Sequence, residues 1–308
     1  MTSDPTSAPL WLARALEARP RRDDRALGVA GTAISTWSWP GHDGAPRLVL
    51  VHGGGAHAGW WSWTGPLLAP AWDVVAVELS GHGRSGRRPG DYSFGAWADE
   101  VLAAAGDGPA VLIGHSMGGV IVAIAAQRAG SDRVPAVVIV DAPLERPTSA
   151  SLGDGPRRMA VAQSTETREA LLARFRLVPD QDALHPAMLD HVAQEGHVEV
   201  EGRFAWRFDP SLFAASEADR PPRVDDLLVA YDGHVGAIVG GRSEVVPEEQ
   251  RARLADCCRG GPGDAASTYV EVPDAHHQIM FDRPHEMMAA LDGMLRGWGM
   301  PGVGPLDV

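Results

Sequence analysis

The sequence predicts an α/β protein with a mostly parallel, doubly wound sheet. Apolar runs of strand length occur at residues 47–51, 73–77, 110–113, 136–140 and 235–239, the first two each after one charged residue, Arg47 or Asp73. Segments with helical character, at residues 94–105, 120–126, 248–258 and 284–298, alternate with these runs. Strands that are apolar throughout are typical of parallel sheets covered by helices on both faces. The alternation therefore predicts ligand sites at the carboxyl ends of the strands.

The N-terminal part is expected to add peripheral elements to this sheet. Residues 1–24 are interpreted as a leader with a short amphipathic helix that begins near Leu10 and ends before Pro20. Residues 25–39 are rich in Val, Ile, Thr and Trp with glycines between them, which predicts a hairpin at a sheet edge. A tryptophan-rich helix is predicted at residues 60–68.

The regular alternation stops at residues 142–223. This stretch is richer in charge and proline, with helical patches at 168–176 and 185–194. It also carries an aromatic cluster, Phe204, Trp206, Phe208 and Phe213. Because it has enough apolar residues to pack, we interpret it as a helical cap inserted over the strand ends, and not as a linker. A second domain unrelated to the active site is the alternative.

The alternation resumes after this interruption. A last strand is predicted at residues 267–272 and leads through a histidine-containing loop to the closing helix. The core is therefore assigned to residues 25–141 and 224–298. The tail at residues 299–308 is rich in proline and glycine and is expected to be flexible.

Composition excludes some classes of partner and limits others. The chain has 308 residues and is 44% hydrophobic, enough to bury a full core. Its 40 acidic and 27 basic residues give a net charge of -13, which argues against binding to nucleic acid or to anionic membranes. No basic N-terminal flank with an apolar run and no membrane-length apolar stretch occurs in the sequence, so a cytoplasmic protein is expected. The sequence does not indicate an oligomeric state.

No metal or cofactor is expected. The only cysteines, Cys257 and Cys258, are adjacent, so they form neither a disulfide framework nor a spaced zinc site. His185, His191 and His197 lack a convincing ligand arrangement and are interpreted as surface residues of the cap.

A glycine-flanked serine follows the third of the apolar runs. Gly114-His115-Ser116-Met117-Gly118 lies between a predicted strand and a predicted helix. A G-x-S-x-G sequence on such a turn is a nucleophile elbow, in which the serine hydroxyl stands at the carboxyl end of the strand. The Met117 N–H would point the same way, near the positive end of the helix. A glycine-rich turn with a chance serine is the alternative.

A serine nucleophile requires a histidine base and a carboxylate. His277 follows the last predicted strand, in the chain position expected for the base, and spacing alone does not exclude its neighbour His276. Two acids are candidates: Asp141 ends the strand after the elbow helix, and Glu244 follows the next strand. Each also has an ordinary interpretation, as a turn or helix cap for Asp141 and as a solvated loop residue for Glu244.

The second oxyanion donor is expected from His52-Gly53-Gly54-Gly55, where missing side chains let the backbone approach a carbonyl oxygen. Gly54 is the preferred donor and Gly55 the alternative. A phosphate loop is disfavoured because no Gly-Lys-Ser/Thr sequence follows.

Taken together, these motifs resemble the α/β-hydrolase fold family over nearly the whole chain. The resemblance is carried by HGGG at 52–55, SGHGRS at 80–85, GHSMGG at 114–119, and AHH at 275–277 followed by FDRP. It implies a cap between the sixth and seventh sheet strands, His277 as the base, and Asp141 in preference to Glu244 as the acid. Ser116 stands where the epoxide hydrolases and dehalogenases of the family have aspartate, which argues against those reactions.

The resemblance implies a serine hydrolase of a carboxylic ester or lactone-type acyl substrate. The tryptophans Trp60, Trp61 and Trp63 and the aromatic residues of the cap suggest an apolar acyl or ring group on a small-molecule substrate, although such tryptophans are as often core residues. Carbon–carbon bond hydrolysis and cofactor-free perhydrolysis are the alternatives within the fold, and a non-catalytic ligand-binding protein is the alternative from another class.

Overall fold

A computed structural model describes residues 8–88, 92–145, 164–213, 223–258 and 268–304. The strands in this part of the chain are β1 (Arg21–Val29), β2 (Thr32–Trp39), β3 (Arg47–Val51), β4 (Asp73–Val77), β5 (Ala110–His115), β6 (Ala136–Val140), β7 (Ser164–Thr165), β8 (His197–Val200), β9 (Arg203–Trp206), β10 (His234–Gly240) and β11 (Tyr269–Val272).

The main sheet has the strand order β1-β2-β4-β3-β5-β6-β10-β11. Strands β4, β3, β5, β6, β10 and β11 are parallel, whereas β1 pairs with β2, and β2 with β4, in the antiparallel sense. The predicted mostly parallel, doubly wound sheet is confirmed, with the N-terminal hairpin at one edge. Because β3 pairs with β4 on one side and β5 on the other, the topological switch point of the sheet lies there, and ligands bind at such points.

Helices cover both faces of the sheet. They are α1 (Leu10–Glu17), α2 (Gly65–Leu68), α3 (Phe94–Ala105), α4 (Met117–Ala129), α5 (Arg168–Leu172), α6 (Pro186–Glu195), α7 (Val224–Ala230), α8 (Glu248–Cys257), α9 (Ile279–Asp282) and α10 (Pro284–Gly297). One core cluster lies between the sheet and α3, α4, α7 and α8, and the other packs α1, α2 and α10 against the opposite face. This arrangement explains why both faces of the central strands are apolar.

The N-terminal region differs in detail from the sequence prediction. Strand β1 begins at Arg21, so three of the last four residues of the expected leader, Arg21 to Asp23, pair with β2. The expected helix at residues 60–68 is instead a 3₁₀ turn at Ala58–Trp61 and the short α2. Trp61 and Trp63 are fully buried and belong to the core. Both rings are buried in the observed conformation, and this burial explains why the segment does not form one continuous helix.

The described part of the 142–223 segment is not purely helical. Besides α5 and α6 it contains a three-stranded antiparallel sheet in the order β7-β9-β8, which the sequence analysis did not predict. Strands β8 and β9 pair from His197 with Trp206 to Val200 with Arg203. Alternating polar and apolar residues over only four positions give too weak a pattern to separate a strand from a loop. Phe213 ends a 3₁₀ turn at Pro210–Phe213.

The first six residues of the C-terminal tail are packed, against the expectation of flexibility. The Val303 N–H donates to Asp292 Oδ1 at 2.6 Å, and the Gly304 N–H donates to the Leu67 carbonyl at 2.9 Å. The Trp72 indole N–H donates to the Gly302 carbonyl. These bonds satisfy backbone groups that composition alone suggests would meet water. Residues 305–308 lie outside the described residues.

Candidate active site

Ser116 occupies the turn between β5 and α4. Its φ of 53° and ψ of -122° form a conformation that residues other than glycine rarely adopt. The turn is held by the Ser116 N–H, which donates to the Val140 carbonyl at 3.0 Å, and by the Gly119 N–H, which donates to the Ser116 carbonyl at 2.9 Å. This is the geometry of a nucleophile elbow, with the hydroxyl at the carboxyl edge of the sheet.

Three glycines make this turn possible, because there is no room for a side chain at any of their positions. A Cβ on Gly114 would overlap the carbonyl oxygen of Gly118, and one on Gly119 would overlap the Ala142 side chain. A Cβ on Gly118 would lie 2.5 Å from the Val51 carbonyl oxygen. Strand β5, helix α4 and strand β3 therefore approach one another at van der Waals distance around the serine.

His277 lies in the loop between β11 and α9 and joins two of the candidate residues. Its Nδ1 is 2.6 Å from Asp141 Oδ2, and its Nε2 is 3.0 Å from Ser116 Oγ. The histidine and aspartate side chains are almost completely buried. With Nδ1–H donating to the carboxylate, Nε2 carries the lone pair that accepts a proton from the hydroxyl.

Asp141 follows β6 and is fixed by three hydrogen bonds. Besides the bond to His277, its Oδ1 accepts the Gly240 N–H at 2.8 Å and its Oδ2 accepts the Ser243 hydroxyl at 2.6 Å. Glu244, the alternative acid, has an exposed side chain, and no bond joins it to His277 within the described residues. The structure thus brings Asp141, and not Glu244, to the histidine.

Ser243 is a site residue that the sequence analysis missed. Its hydroxyl donates to Asp141 and also accepts the backbone N–H of Val245 at 3.2 Å. The only signal in the sequence is a short polar side chain beyond the end of β10, which is common in loops of any kind.

His276, the neighbour of the histidine base candidate, is held away from the serine. Its backbone N–H and its Nδ1 both contact Asp282 Oδ2, at 2.8 and 2.9 Å. Nearly half of its side chain is exposed. Successive residues of an extended loop point in opposite directions, which explains why only His277 reaches the interior.

The expected oxyanion donors, the N–H groups of Gly54 and Met117, belong to segments next to the serine. Gly53 packs against it, since a Cβ there would lie 3.2 Å from both Ser116 Cβ and His115 Nδ1. The next residue, Gly54, is exposed, and Met117 is the first residue of α4. Within the described residues, neither the Gly54 nor the Met117 N–H donates a hydrogen bond. Both donors can therefore be offered to a bound oxygen.

Burial keeps the neighbouring histidines neutral. It lowers the pKa of His52 to about 4, although a bond to the Gly53 carbonyl at 2.8 Å opposes the shift. The pKa of His115 is also lowered well below its usual value, first by burial and then by the charge of His277. His52 Nε2 accepts the Leu79 N–H at 3.1 Å. A nitrogen that accepts a hydrogen bond carries no proton, so this bond requires the neutral imidazole.

The 142–223 segment contacts the loop that carries the histidine. Gln181 Oε1 accepts the Gln278 N–H at 2.8 Å, and its amide nitrogen donates to the Gln278 carbonyl at 3.3 Å. The Leu184 N–H donates to the Phe281 carbonyl. Gln278 directly follows His277, and Phe281 lies three residues further on. The 142–223 segment therefore helps to fix the position of the loop that carries His277. Gln181 carried no sequence signal that would have identified it.

The histidines interpreted as surface residues of the cap are partly buried and take part in structural hydrogen bonds. His185 caps α6, His191 contacts Ser62 Oγ at 2.8 Å, and His197 accepts from Arg168. No group of three potential metal ligands occurs within the described ranges. Nor does this part of the chain contain a helix of the length and apolarity that crossing a membrane requires.

Comparison with known proteins identifies relatives by sequence. The sequence model of the alpha/beta hydrolase fold matches residues 46–195. Lipase LipV of Mycobacterium tuberculosis is 32% identical over 227 residues, which span 64% of this chain and 84% of the relative. Esterase Rv0045c of the same organism is 27% identical over 290 residues, which span 87% of this chain and 88% of the relative.

Solved structures are similar over most of the chain. The structure of an E-2-(acetamidomethylene)succinate hydrolase matches with a TM-score of 0.74 at 20% identity, covering 90% of this chain and 98% of its own. The structure of esterase Rv0045c matches with a TM-score of 0.65 at 23% identity, covering 96% and 99%. At these identities the likeness shows the fold alone.

Proposed function

Since this chain belongs to the α/β-hydrolase family and is a hydrolase, we propose that it cleaves a carboxylic ester or lactone-type acyl substrate through an acyl-enzyme intermediate. One observation carries the proposal: the continuous hydrogen-bond chain from Asp141 through His277 to Ser116, at 2.6 and 3.0 Å. The relatives named as an esterase and a lipase agree with this reaction class.

In this mechanism Ser116 Oγ attacks the carbonyl carbon while His277 Nε2 accepts the hydroxyl proton. The imidazolium is stabilised by the buried Asp141 carboxylate, which Gly240 and Ser243 hold in place. His277 then gives the proton to the leaving oxygen, and the alcohol departs. A water molecule then attacks the acyl-enzyme; His277 Nε2 takes a proton from the water and gives it to Ser116 Oγ as the acid is released, which restores the free serine.

The oxyanion is assigned to the N–H groups of Met117 and Gly54. The Met117 donor lies at the amino end of the thirteen-residue helix α4, where the helix dipole is positive. Donors of this kind typically contribute about 2.7 to 4 kcal/mol each to transition-state stabilisation. The close packing of Gly53 against Ser116 supports the assignment, because Gly54 is the next residue in the chain.

An apolar acyl or ring group on the substrate is favoured by the side chains nearest this assembly. Trp60 is half-buried, stacks on His115 with ring centroids 6.4 Å apart, and meets the Phe281 ring edge-on at 5.0 Å. Met117, directly after the serine, is also half-buried. Partly exposed apolar surface beside a nucleophile stabilises an apolar ligand when it is covered.

The proposal is tested by intact-mass labelling with a fluorophosphonate. The parent and Ser38→Ala, a serine on β2 away from the site, should each gain a single stoichiometric adduct that Ser116→Ala does not form. Hydrolysis of p-nitrophenyl butyrate and of a γ-lactone should follow the same pattern. Folded parent protein without an adduct would contradict an activated serine and would favour the ligand-binding alternative.

A further inference from the structure

A cavity lies between the loop after β4 and the β8–β9 hairpin. Its volume is about 340 Å³, within the range of small-molecule sites. We call it the hairpin cavity; its lining includes Arg84 and Arg87 from the loop, Val198 from the hairpin, Arg207 directly after the hairpin, and Asp24 from β1. Its two walls are fixed to each other by backbone bonds.

Those bonds make the hairpin cavity a permanent feature of the fold. The Gly83 N–H donates to the Arg207 carbonyl, and the Asp209 N–H donates to the Gly81 carbonyl, both at 2.7 Å. A β-bridge joins His82 to Phe208 between them. The two backbone walls of the cavity are therefore held together without the help of side chains.

The hairpin cavity is separate from the proposed catalytic site, since neither Ser116 nor His277 lines it. The buried rings of His52 and His82 contact each other, with centroids 4.8 Å apart. His52 precedes the glycine that packs on the serine, and His82 lies between two glycines of the cavity wall. A ligand here would thus occupy a place of its own.

Positive charge dominates the lining, in a protein whose net charge is -13. Three arginines, Arg84, Arg87 and Arg207, face one aspartate, Asp24. Asp24 forms an ion pair with Arg84 at 3.7 Å, a distance too long for a hydrogen bond, and two arginines of the lining remain in excess. Burial, together with repulsion from Arg84, lowers the pKa of Arg207. Like charges held together in a cavity are stabilised by an anion between them.

The other carboxyl groups nearby are engaged away from the hairpin cavity. Glu78 is buried behind Gly83, accepts the Arg84 N–H at 2.7 Å, and has its pKa raised by that burial. Asp209 accepts the Tyr92 hydroxyl at 2.8 Å and the hydroxyl and N–H of Ser211. Neither carboxyl lines the cavity, so neither neutralises the guanidinium groups from within it.

The guanidinium groups retain free donors. Arg207 uses Nε to donate to the His197 carbonyl at 2.6 Å, which fixes its orientation. Within the described residues, no hydrogen bond occupies its terminal nitrogens or the guanidinium of Arg87. A planar guanidinium donates in pairs to carboxylate and phosphate oxygens.

We propose that the hairpin cavity binds a small organic anion, a carboxylate or phosphate, whose apolar portion lies against the hairpin. The anionic group is held by Arg84 and Arg207, and the apolar portion contacts Val198 and Val200. Val200 is 55% exposed, unusually high for a valine on a strand, and a ligand would cover it.

Isothermal titration calorimetry with phenyl phosphate at constant ionic strength tests the proposal. The parent should show saturable binding at a single site, which benzyl alcohol, lacking the charge, does not show. Arg84→Gln and Arg207→Gln should each weaken binding by about tenfold or more. Arg203→Gln, a control on the same hairpin that bonds Ser164 outside the cavity, should bind as the parent does.

The absence of saturable binding, or equal affinity in all four proteins, would overturn the proposal. Arg84→Gln keeps the hydrogen bond from the backbone N–H of residue 84 to Glu78, so the variant is expected to stay folded. Thermal melts of each variant check that a loss of binding is not caused by unfolding. The calorimetry needs no turnover. Its outcome is therefore independent of whether Ser116 is the nucleophile.

Discussion

His115 donates a hydrogen bond from Nε2 to the backbone carbonyl of His277 at 3.1 Å, directly beneath the proposed base. The centroids of the two rings are 4.8 Å apart, and the Trp60 ring stacks on His115 with centroids 6.4 Å apart. His115 is completely buried and its lowered pKa keeps it neutral, so it adds no positive charge beside the imidazolium that forms during turnover. We infer that His115 positions His277.

Replacing His115 separates this positioning role from packing. His115→Phe keeps the ring but removes the donor, and should lower kcat about tenfold at a nearly unchanged KM. His115→Gln keeps an N–H at a similar distance from the backbone and should retain most of kcat. The measurement is kcat, KM and their pH profiles on p-nitrophenyl butyrate. Equal kcat values in the two variants would contradict a role for the hydrogen bond from His115 to the His277 carbonyl.

Asp141→Asn tests which acid supports the histidine. The amide would present a donor, or a weaker acceptor, to Nδ1 and favour the wrong tautomer, so kcat should fall by about 10⁴-fold. Glu244→Gln changes an exposed side chain and should alter kcat by less than about twofold. Steady-state kinetics on both variants, with melting temperatures as a folding control, give the ranking. The reverse ranking would move the acid to Glu244.

His57 should make stability depend on pH. Its Nδ1 accepts the Gly59 N–H at 3.1 Å and its Nε2–H donates to the Val192 carbonyl at 3.0 Å, so both nitrogens are bonded in the neutral form. Burial lowers its pKa to about 3. Because the folded pKa lies below the unfolded value of 6.5, this contribution is complete above pH 6.5 and is lost as the pH falls towards 3.

His57→Asn removes the titration while retaining an acceptor for Gly59. Between about pH 7 and pH 5 the variant should lose about 2 kcal/mol less unfolding free energy than the parent. The comparison must be differential because burial raises the pKa of Glu78 and Glu100, and these carboxyl groups titrate in the opposite sense. Urea unfolding of both proteins at the two pH values measures it; parallel losses would show that His57 is not responsible.

Two glycine-to-alanine changes should have opposite effects on stability. Gly114→Ala places a Cβ on the Gly118 carbonyl, where only backbone could move, and should cost about 3 kcal/mol. Gly293→Ala, at an open position within α10, should instead stabilise by about 0.5 to 1 kcal/mol. Urea unfolding reports both. A Gly114→Ala protein as stable as the parent would mean that the elbow is not tightly packed.

Local patterns in the sequence predicted the sheet well because they report burial directly. β6 is apolar throughout, β3 and β4 are apolar after one charged first residue, and each forms a strand covered on both faces. Strands β8 and β9 were missed because four half-exposed residues carry no such pattern. The expected helix at residues 60–68 does not form as one element, because the burial of Trp61 and Trp63 in the core outweighs the local helix propensity.

The sequence by itself determined the strand-and-helix alternation and the chain positions of Ser116 and His277, since these depend on contiguous residues. Only the tertiary structure brought Asp141 to the histidine, across 136 positions, and turned Glu244 to solvent. It alone also assembled the three arginines of the hairpin cavity from two distant segments. The physical reason is that periodicity records which side chains are buried, whereas strand order and loop direction decide which of them meet.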